Sequence, residues 1–217
     1  IVQNLKGRFY MAQGKSEEAE KSFNAALKNN PDLVGAYYAL AEIYLKDKRA
    51  EDAIAQYKEI LERTPNQANP HMLIGTIYDM QEKFDLAEKH YRKALEIDPE
   101  FAPAANNLAY LLADHKGELN VALGYAEQAK KKLPDDPGIM DTVGWIYYKK
   151  GLYDMAIMEF QDSLKKLPKN AEVHYHLGLA YYKKGKKEAA KKELKEALEL
   201  DKNFKGSDQA KEILSEL

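Results

Sequence analysis

The sequence predicts an all-α solenoid: six two-helix units stacked in series and closed by a short terminal helix. Two observations carry that prediction. Residues 143–160, VGWIYYKKGLYDMAIMEF, return 34 positions later as residues 177–194, LGLAYYKKGKKEAAKKEL, and the shared YYKKG needs no gap. A small residue also recurs in register, at Gly7, Ala41, Gly75, Ala109, Gly144 and Gly178. A fixed period of this size marks a chain whose units bury their apolar faces only against one another.

Each unit repeats the same grammar. Three residues after the small residue comes a large one: Tyr10, Tyr44, Tyr78, Leu112, Tyr147 and Tyr181. Twelve after it comes an alanine, at Ala19, Ala53, Ala87, Ala156 and Ala190, which the fourth unit delays by one to Ala122. Small residues facing each other let the two helices of a unit, A and B, pack closely. Proline closes the first five units, at Pro31, Pro65, Pro99, Pro134 and Pro168, and Lys202 stands there in the sixth. The predicted domain is single, 1–217, with units at about 1–33, 34–67, 68–101, 102–136, 137–170 and 171–204 and a capping helix at 207–217.

These residues resemble the tetratricopeptide repeat family, in register over nearly the whole chain. The resemblance implies a right-handed superhelix whose A helices line a concave groove.

In unit one, helix A is expected to run to about Ala12, Gly14 to turn the chain, and Ser16 to precede helix B, with Glu17 and Glu18 favouring its positive end. Ile1 has no capping residue before it and no initiator Met. The expectation is a piece of a longer protein or a processed chain, with any signal or lipid anchor upstream. Units two and three alternate apolar and charged residues at helical spacing, as in Ala53, Ile54, Tyr57, Ile60 and Leu61. Pro70, Pro103 and Pro137 open A helices, where a missing N–H costs nothing. The irregular turn of unit four, residues 113–120, is expected to be a lengthened surface loop. After Gly206, Ser207 is expected to cap a last helix whose Ala210, Ile213, Leu214 and Leu217 form one apolar stripe covering unit six.

Composition narrows the functions. Charged residues are 31% and the net charge is -2, so no overall field favours nucleic acid or an anionic membrane. The lysine-rich stretch 183–195 reads as a solvated helix face paired with Glu188, Glu193 and Glu196. No apolar run is long enough to span a bilayer. Cys is 0, which removes disulfides, thiolate catalysis and cysteine zinc sites without deciding the compartment. His174 and His176 point about 200° apart on a helix and cannot share a metal. His71 and His174 hold equivalent places, which favours packing over ligation. With no HExxH, P-loop or GxSxG motif, the chain is expected to be no enzyme and to hold no cofactor or metal.

What remains is surface, and a protein or peptide partner. The family's groove positions, carried over by register, select Asn106, Asn107, Tyr110, Asp114 and Ala113 in unit four. They select Asp141, Trp145, Tyr148 and Lys149 in unit five, and Tyr175, His176, Tyr182 and Lys183 in unit six. The expected partner-binding set is Asn106, Asn107, Tyr110, Asp141, Trp145, Tyr148, Lys149, Tyr175, Tyr182 and Lys183, centred on Trp145. Trp145, Tyr148 and Tyr182 are expected to be exposed, because Tyr147 and Tyr181 already supply the packing rings. Tyr38 and Tyr175 stand open between exposure and packing. The family's chaperone-adaptor members clamp a C-terminal carboxylate with a lysine and asparagine set. One clamp lysine is replaced here by Asn4, Tyr38, Met72, Asn106, Asp141 and Tyr175, which argues against an extended chaperone tail as ligand. Units five and six also look like bacterial envelope or exopolysaccharide-associated repeat proteins. The alternative function is a structural module that pairs with copies of itself into homo-oligomers.

Overall fold

The computed structural model describes all of residues 1–217 and contains thirteen α-helices, one π-helical turn and no strand. The helices fall into two compact units, residues 1–99 and 100–217. The first holds α1 (Val2–Ala12), α2 (Ser16–Asn29), α3 (Val34–Lys46), α4 (Ala50–Arg63), α5 (Ala68–Met80) and α6 (Phe84–Ile97). The second holds α7 (Ala102–Leu111), the π-turn (Leu112–Lys116), α8 (Leu119–Lys132), α9 (Pro137–Lys149), α10 (Tyr153–Lys166), α11 (Ala171–Lys183), α12 (Lys187–Leu200) and α13 (Ser207–Glu216). Odd-numbered helices up to α11 are the A helices of the repeat and even-numbered ones the B helices.

The recurring small residues make the A–B crossing. A Cβ added to Gly144 would stand 2.6 Å from Phe160 Cε1, and one added to Gly7 or Gly75 would meet the Phe23 or Tyr91 ring at 2.7 Å. The recurring alanines, from Ala19 to Ala190, are all fully buried on the B side of the same crossings. Dense contact of this kind is what makes one methylene matter. The turn inside each pair needs a left-handed residue. Gly14, Gly117, Gly151 and Gly185 supply it, whereas Lys48 and Glu82 adopt φ of 59° and 58° in the equivalent places.

Several expectations about helix ends are corrected. Ser16 and Ser207 are the first helical residues and form no side-chain cap; Lys15 and Gly206 hold the cap positions. Only α9 and α11 are capped by side chains: Asp136 accepts from the Gly138 and Ile139 N–H groups, and Asn170 from the Val173 N–H. The turn of unit four is not simply a lengthened surface loop. Its added residue is wound into the π-turn that prolongs α7, with Leu112 and Ala113 buried, and Gly117 at φ 69° ends it. Burying those two apolar side chains favours keeping the residue in the helix over letting it bulge into water.

In residues 1–99 the core runs along α2–α5 through Phe23, Leu40, Ile54, Tyr57 and Ile74. In residues 100–217 a core cluster links α9 to α13 through Trp145, Phe160, Leu179, Leu194, Phe204 and Ile213. Helix α13 lies beside α11: Tyr175 donates to Gln209 Oε1, and Tyr182 donates to Glu216 Oε2 at 2.6 Å. Its Ala210 and Ile213 are buried, while Asp208, Gln209, Lys211 and Glu212 face solvent. A polar outer side over an apolar inner one is what a terminal repeat needs.

Candidate functional site: the A-helix face of residues 100–217

Helices α7, α9 and α11 stand side by side and bring most of the sequence-selected residues to one face. Their placement differs from the expectation at its centre. Trp145 is only 8% exposed. Its ring stacks on Tyr148 at 5.2 Å and on His176 at 4.4 Å, and its Nε1–H donates to Asp114 Oδ1 at 3.2 Å. The expected exposure of Trp145 is therefore corrected: it fills the seam between neighbouring A helices. The physical reason is that a flat indole gains more from two stacked rings and a satisfied N–H than from water. Tyr147 and Tyr181, expected to supply the packing, are half-buried and do pack against the core cluster.

Tyr175 resolves toward packing, at 5% exposure against Phe204. Burial, with the nearby Tyr148 and Asp114, pushes its phenol up to about 12, so it stays a hydrogen-bond donor to Gln209. Tyr148 and Tyr182, expected to be exposed, are half-buried instead, and Lys149 and Lys183 are exposed at the rim. Burial raises the Tyr148 phenol as well. Asn106, Asn107 and Tyr110 are half-buried on α7, and Tyr110 packs against the core cluster below. The Asn106 Oδ1 is buried and accepts no hydrogen bond from the chain. Asp141 faces inward to α11, where its Oδ1 lies 2.9 Å from His176 Nδ1.

Asp114 is the residue that sequence reasoning placed on this face but left out of the binding set. Carried by the π-turn, it touches Trp145, Lys149 Nζ at 3.1 Å, His115 Nε2 at 3.5 Å and Lys205 Nζ at 3.4 Å. Burial pushes its carboxyl up, but the hydrogen bond and charge of Lys149, with Lys205 and His115, outweigh that and hold it below the usual value. The one-residue delay before Ala122 was the available signal. Phe204 and Lys205 were missed because they lie in a turn.

The remaining histidines are structural contacts. His174 turns away from His176, placing Nδ1 2.7 Å from Glu193 Oε2 and Nε2 3.1 Å from the Pro168 carbonyl. The equivalent contact in unit three joins His71 and His90, Nδ1 to Nδ1 at 3.2 Å. Burial is the main cause lowering both, His90 to about 4, so the pair is neutral near pH 7 and one ring donates to the other.

Comparison with known proteins places the fold. Models described as tetratricopeptide repeat match residues 4–68, 68–101, 90–123 and 171–204, and one described as TPR repeat matches 144–185. A TPR repeat-containing protein of Pseudomonas aeruginosa, PA4667, is 43% identical over 54 residues, which are 25% of this chain and 9% of that protein. The chain thus spans under a tenth of that relative's length. Among solved structures, a chain of the APC/C hetero-tetramer Cut9-Hcn1 superposes with TM-score 0.82 at 19% identity, over 97% of this chain and 41% of that one. PilW, described as a widely conserved type IV pilus biogenesis factor, superposes with TM-score 0.77 at 18% identity over 96% of both chains. YrrB, described as a TPR protein with an unusual peptide-binding site, gives 0.62 at 23% identity over 89% of this chain and all, 100%, of that one. The period, the tight A–B crossings and these matches agree: the chain belongs to the tetratricopeptide repeat family and has that family's α-solenoid fold.

Proposed function

We propose that the chain is a non-enzymatic scaffold that holds an extended or helical segment of a partner protein against the A-helix face of residues 100–217. The observation that carries this reading is the chemistry of that face. Half-buried Tyr148 and Tyr182 and rim lysines Lys149 and Lys183 lie over a rigid floor of Trp145, Tyr175 and His176. Rigid aromatic surface with a few fixed polar groups suits recognition of a peptide, because little conformational freedom is lost on contact. Trp145 and Tyr175 act as the floor in this reading, and Asn106, Asn107, Tyr110 and Asp141 flank it. The peptide-binding site described for YrrB and the role in type IV pilus biogenesis described for PilW support peptide binding and assembly work as the class of role.

The test replaces Tyr182 with a photo-crosslinking phenylalanine analogue and maps adducts by mass spectrometry in the native host. Adducts joining position 182 to one short segment of another protein support the reading. The second reading, self-assembly, is favoured by a different surface: Val121 on α8, with Leu152, Met155 and Met158 at α10, is an apolar set exposed on the B helices, Met158 at 64%. The same analogue at Met158 tests it. Adducts to a second copy there, with none at 182, would transfer the function to self-assembly.

A further inference from the structure

Within residues 100–217 the chain departs from its period in two places. One is the residue added at the π-turn. The other is the turn between α12 and α13, which runs from 201 to 206, whereas the turns before α3, α5, α9 and α11 are 30–33, 64–67, 133–136 and 167–170. The two irregularities meet. Asp114 comes from the first and Lys205 from the second, and their side chains pair across 91 residues of sequence.

The geometry around them is specific. Phe204 is buried and packs its ring on Tyr175 at 5.2 Å. Gly206 follows at φ 108°, and a Cβ there would stand 2.5 Å from Tyr175 Cε1, so only glycine lets the turn lie on that ring. Lys205 is thereby held over the A-helix face within reach of Asp114 Oδ2. π-helical turns recur at functional sites, and this one, at the end of α7, carries a carboxylate.

Two lysines share that carboxylate, and they are not equivalent. Lys149 meets Oδ1, where the Trp145 N–H also donates, and its ammonium lies 4.9 Å from the centre of the Trp145 ring. Those contacts hold its ammonium in place although the side chain is a third exposed, at 33%. The Lys205 side chain is 69% exposed and reaches Oδ2, where His115 Nε2 also lies at 3.5 Å. A pair so solvated is weak and easily exchanged. With Lys149 committed, the exchangeable position on Asp114 is a cation position, and an acidic ligand would meet the carboxylate itself.

We propose that Asp114 is the anchor for a basic side chain of a partner segment, and that Lys205 is the chain's own stand-in, a latch that the partner's lysine or arginine displaces. This rests on the reading of the A-helix face as the partner-binding face. A latch of this kind taxes affinity by the fraction of time it is closed, and removing it returns that fraction.

The test uses the full chain and its single tryptophan, which touches Asp114. The probe is acetyl-Gly-Phe-Gly-Arg-Gly-Phe-Gly-amide, with a twin carrying Glu in place of Arg, titrated against Trp145 emission. The arginine peptide is expected to bind Lys205→Ala about fivefold more tightly than the parent, and to lose that binding in the Lys205→Ala, Asp114→Asn double variant. Lys205→Ala leaves a solvent-exposed site, so its folding is not at issue. Equal binding to the parent and Lys205→Ala overturns the latch. No binding to Lys205→Ala overturns the anchor. Binding of the glutamate twin instead overturns the basic assignment while the face reading stands. The face reading is judged separately by the adducts at Tyr182, which do not depend on Asp114.

Discussion

At the scale of single residues, the repeat is held by space that is absent. Gly144 faces the buried Phe160 ring with no room for a methyl group, whereas Gly124 on α8 has nothing within 4 Å of an added Cβ. The same substitution should therefore have opposite signs. Gly144→Ala is expected to lose about 1–3 kcal/mol to overpacking, less up to about 1 kcal/mol of helix propensity. Gly124→Ala should gain about 0.5–1 kcal/mol, since only the propensity term acts. Urea midpoints of the two variants check this, and equal shifts would refute the crossing. Trp145→Ala should cost about 3–5 kcal/mol of stability, as removal of a buried aromatic does. A binding experiment with that variant therefore reads folding as well as recognition.

The His71–His90 contact gives a pH dependence whose sign is fixed. The folded His90 is held neutral, its value lowered from 6.5 to about 4 chiefly by burial and then by the charges of His71, Lys89 and Lys58. The unfolded chain takes up that proton first as pH falls. The contribution to stability is thus complete above about pH 6.5 and is lost as pH falls toward 4. Protection of amides within α5 and α6, taken relative to the intrinsic exchange rate at each pH, should fall between pH 7 and 5, and His90→Gln should flatten that response. Protection that does not change with pH would show that the pair does not control the local opening.

At the scale of elements, α13 covers part of the face. It covers Tyr175 and Tyr182 with Gln209 and Glu216, and it seats Ala210 and Ile213 against the core below. Deleting residues 207–217 should speed exchange in α11 and α12 and promote association through the uncovered apolar surface. Light scattering together with exchange mapping checks this. A monomeric truncation with unchanged protection in α11 would remove the capping role.

At the scale of the whole molecule, each compact unit contains three helix pairs, about the number at which stacked repeats become stable alone. A fragment of residues 100–217 is expected to keep its helical circular dichroism and melt cooperatively. The fragment also carries the entire candidate face, so its Trp145 emission should match that of the full chain. A red-shifted emission in the fragment would mean that residues outside it are needed to pack the indole.

The period, the helix pairs and the crossings were legible because local sequence determines them: a small residue opposite a ring is a steric demand visible in the letters. The family's groove register, carried onto the same letters, put Tyr148, Lys149, Tyr182 and Lys183 on the A helices, and the structure brings them to one face. Whether a residue on that face is open or covered depends on what the neighbouring units and the terminal turn place above it. Trp145 and Tyr147 are two positions apart, and each is a large aromatic with one polar group. Only the arrival of His176, Asp114 and Tyr148 around the indole decided which of them is buried. The insertion in unit four was countable from sequence, but winding it into a π-turn rather than a loop required knowing that Leu112 and Ala113 would be buried. Sequence by itself determined the repeat and its register. The tertiary structure alone decided the face's exposure and the Asp114–Lys205 pairing, because both depend on contacts between residues that no local pattern links.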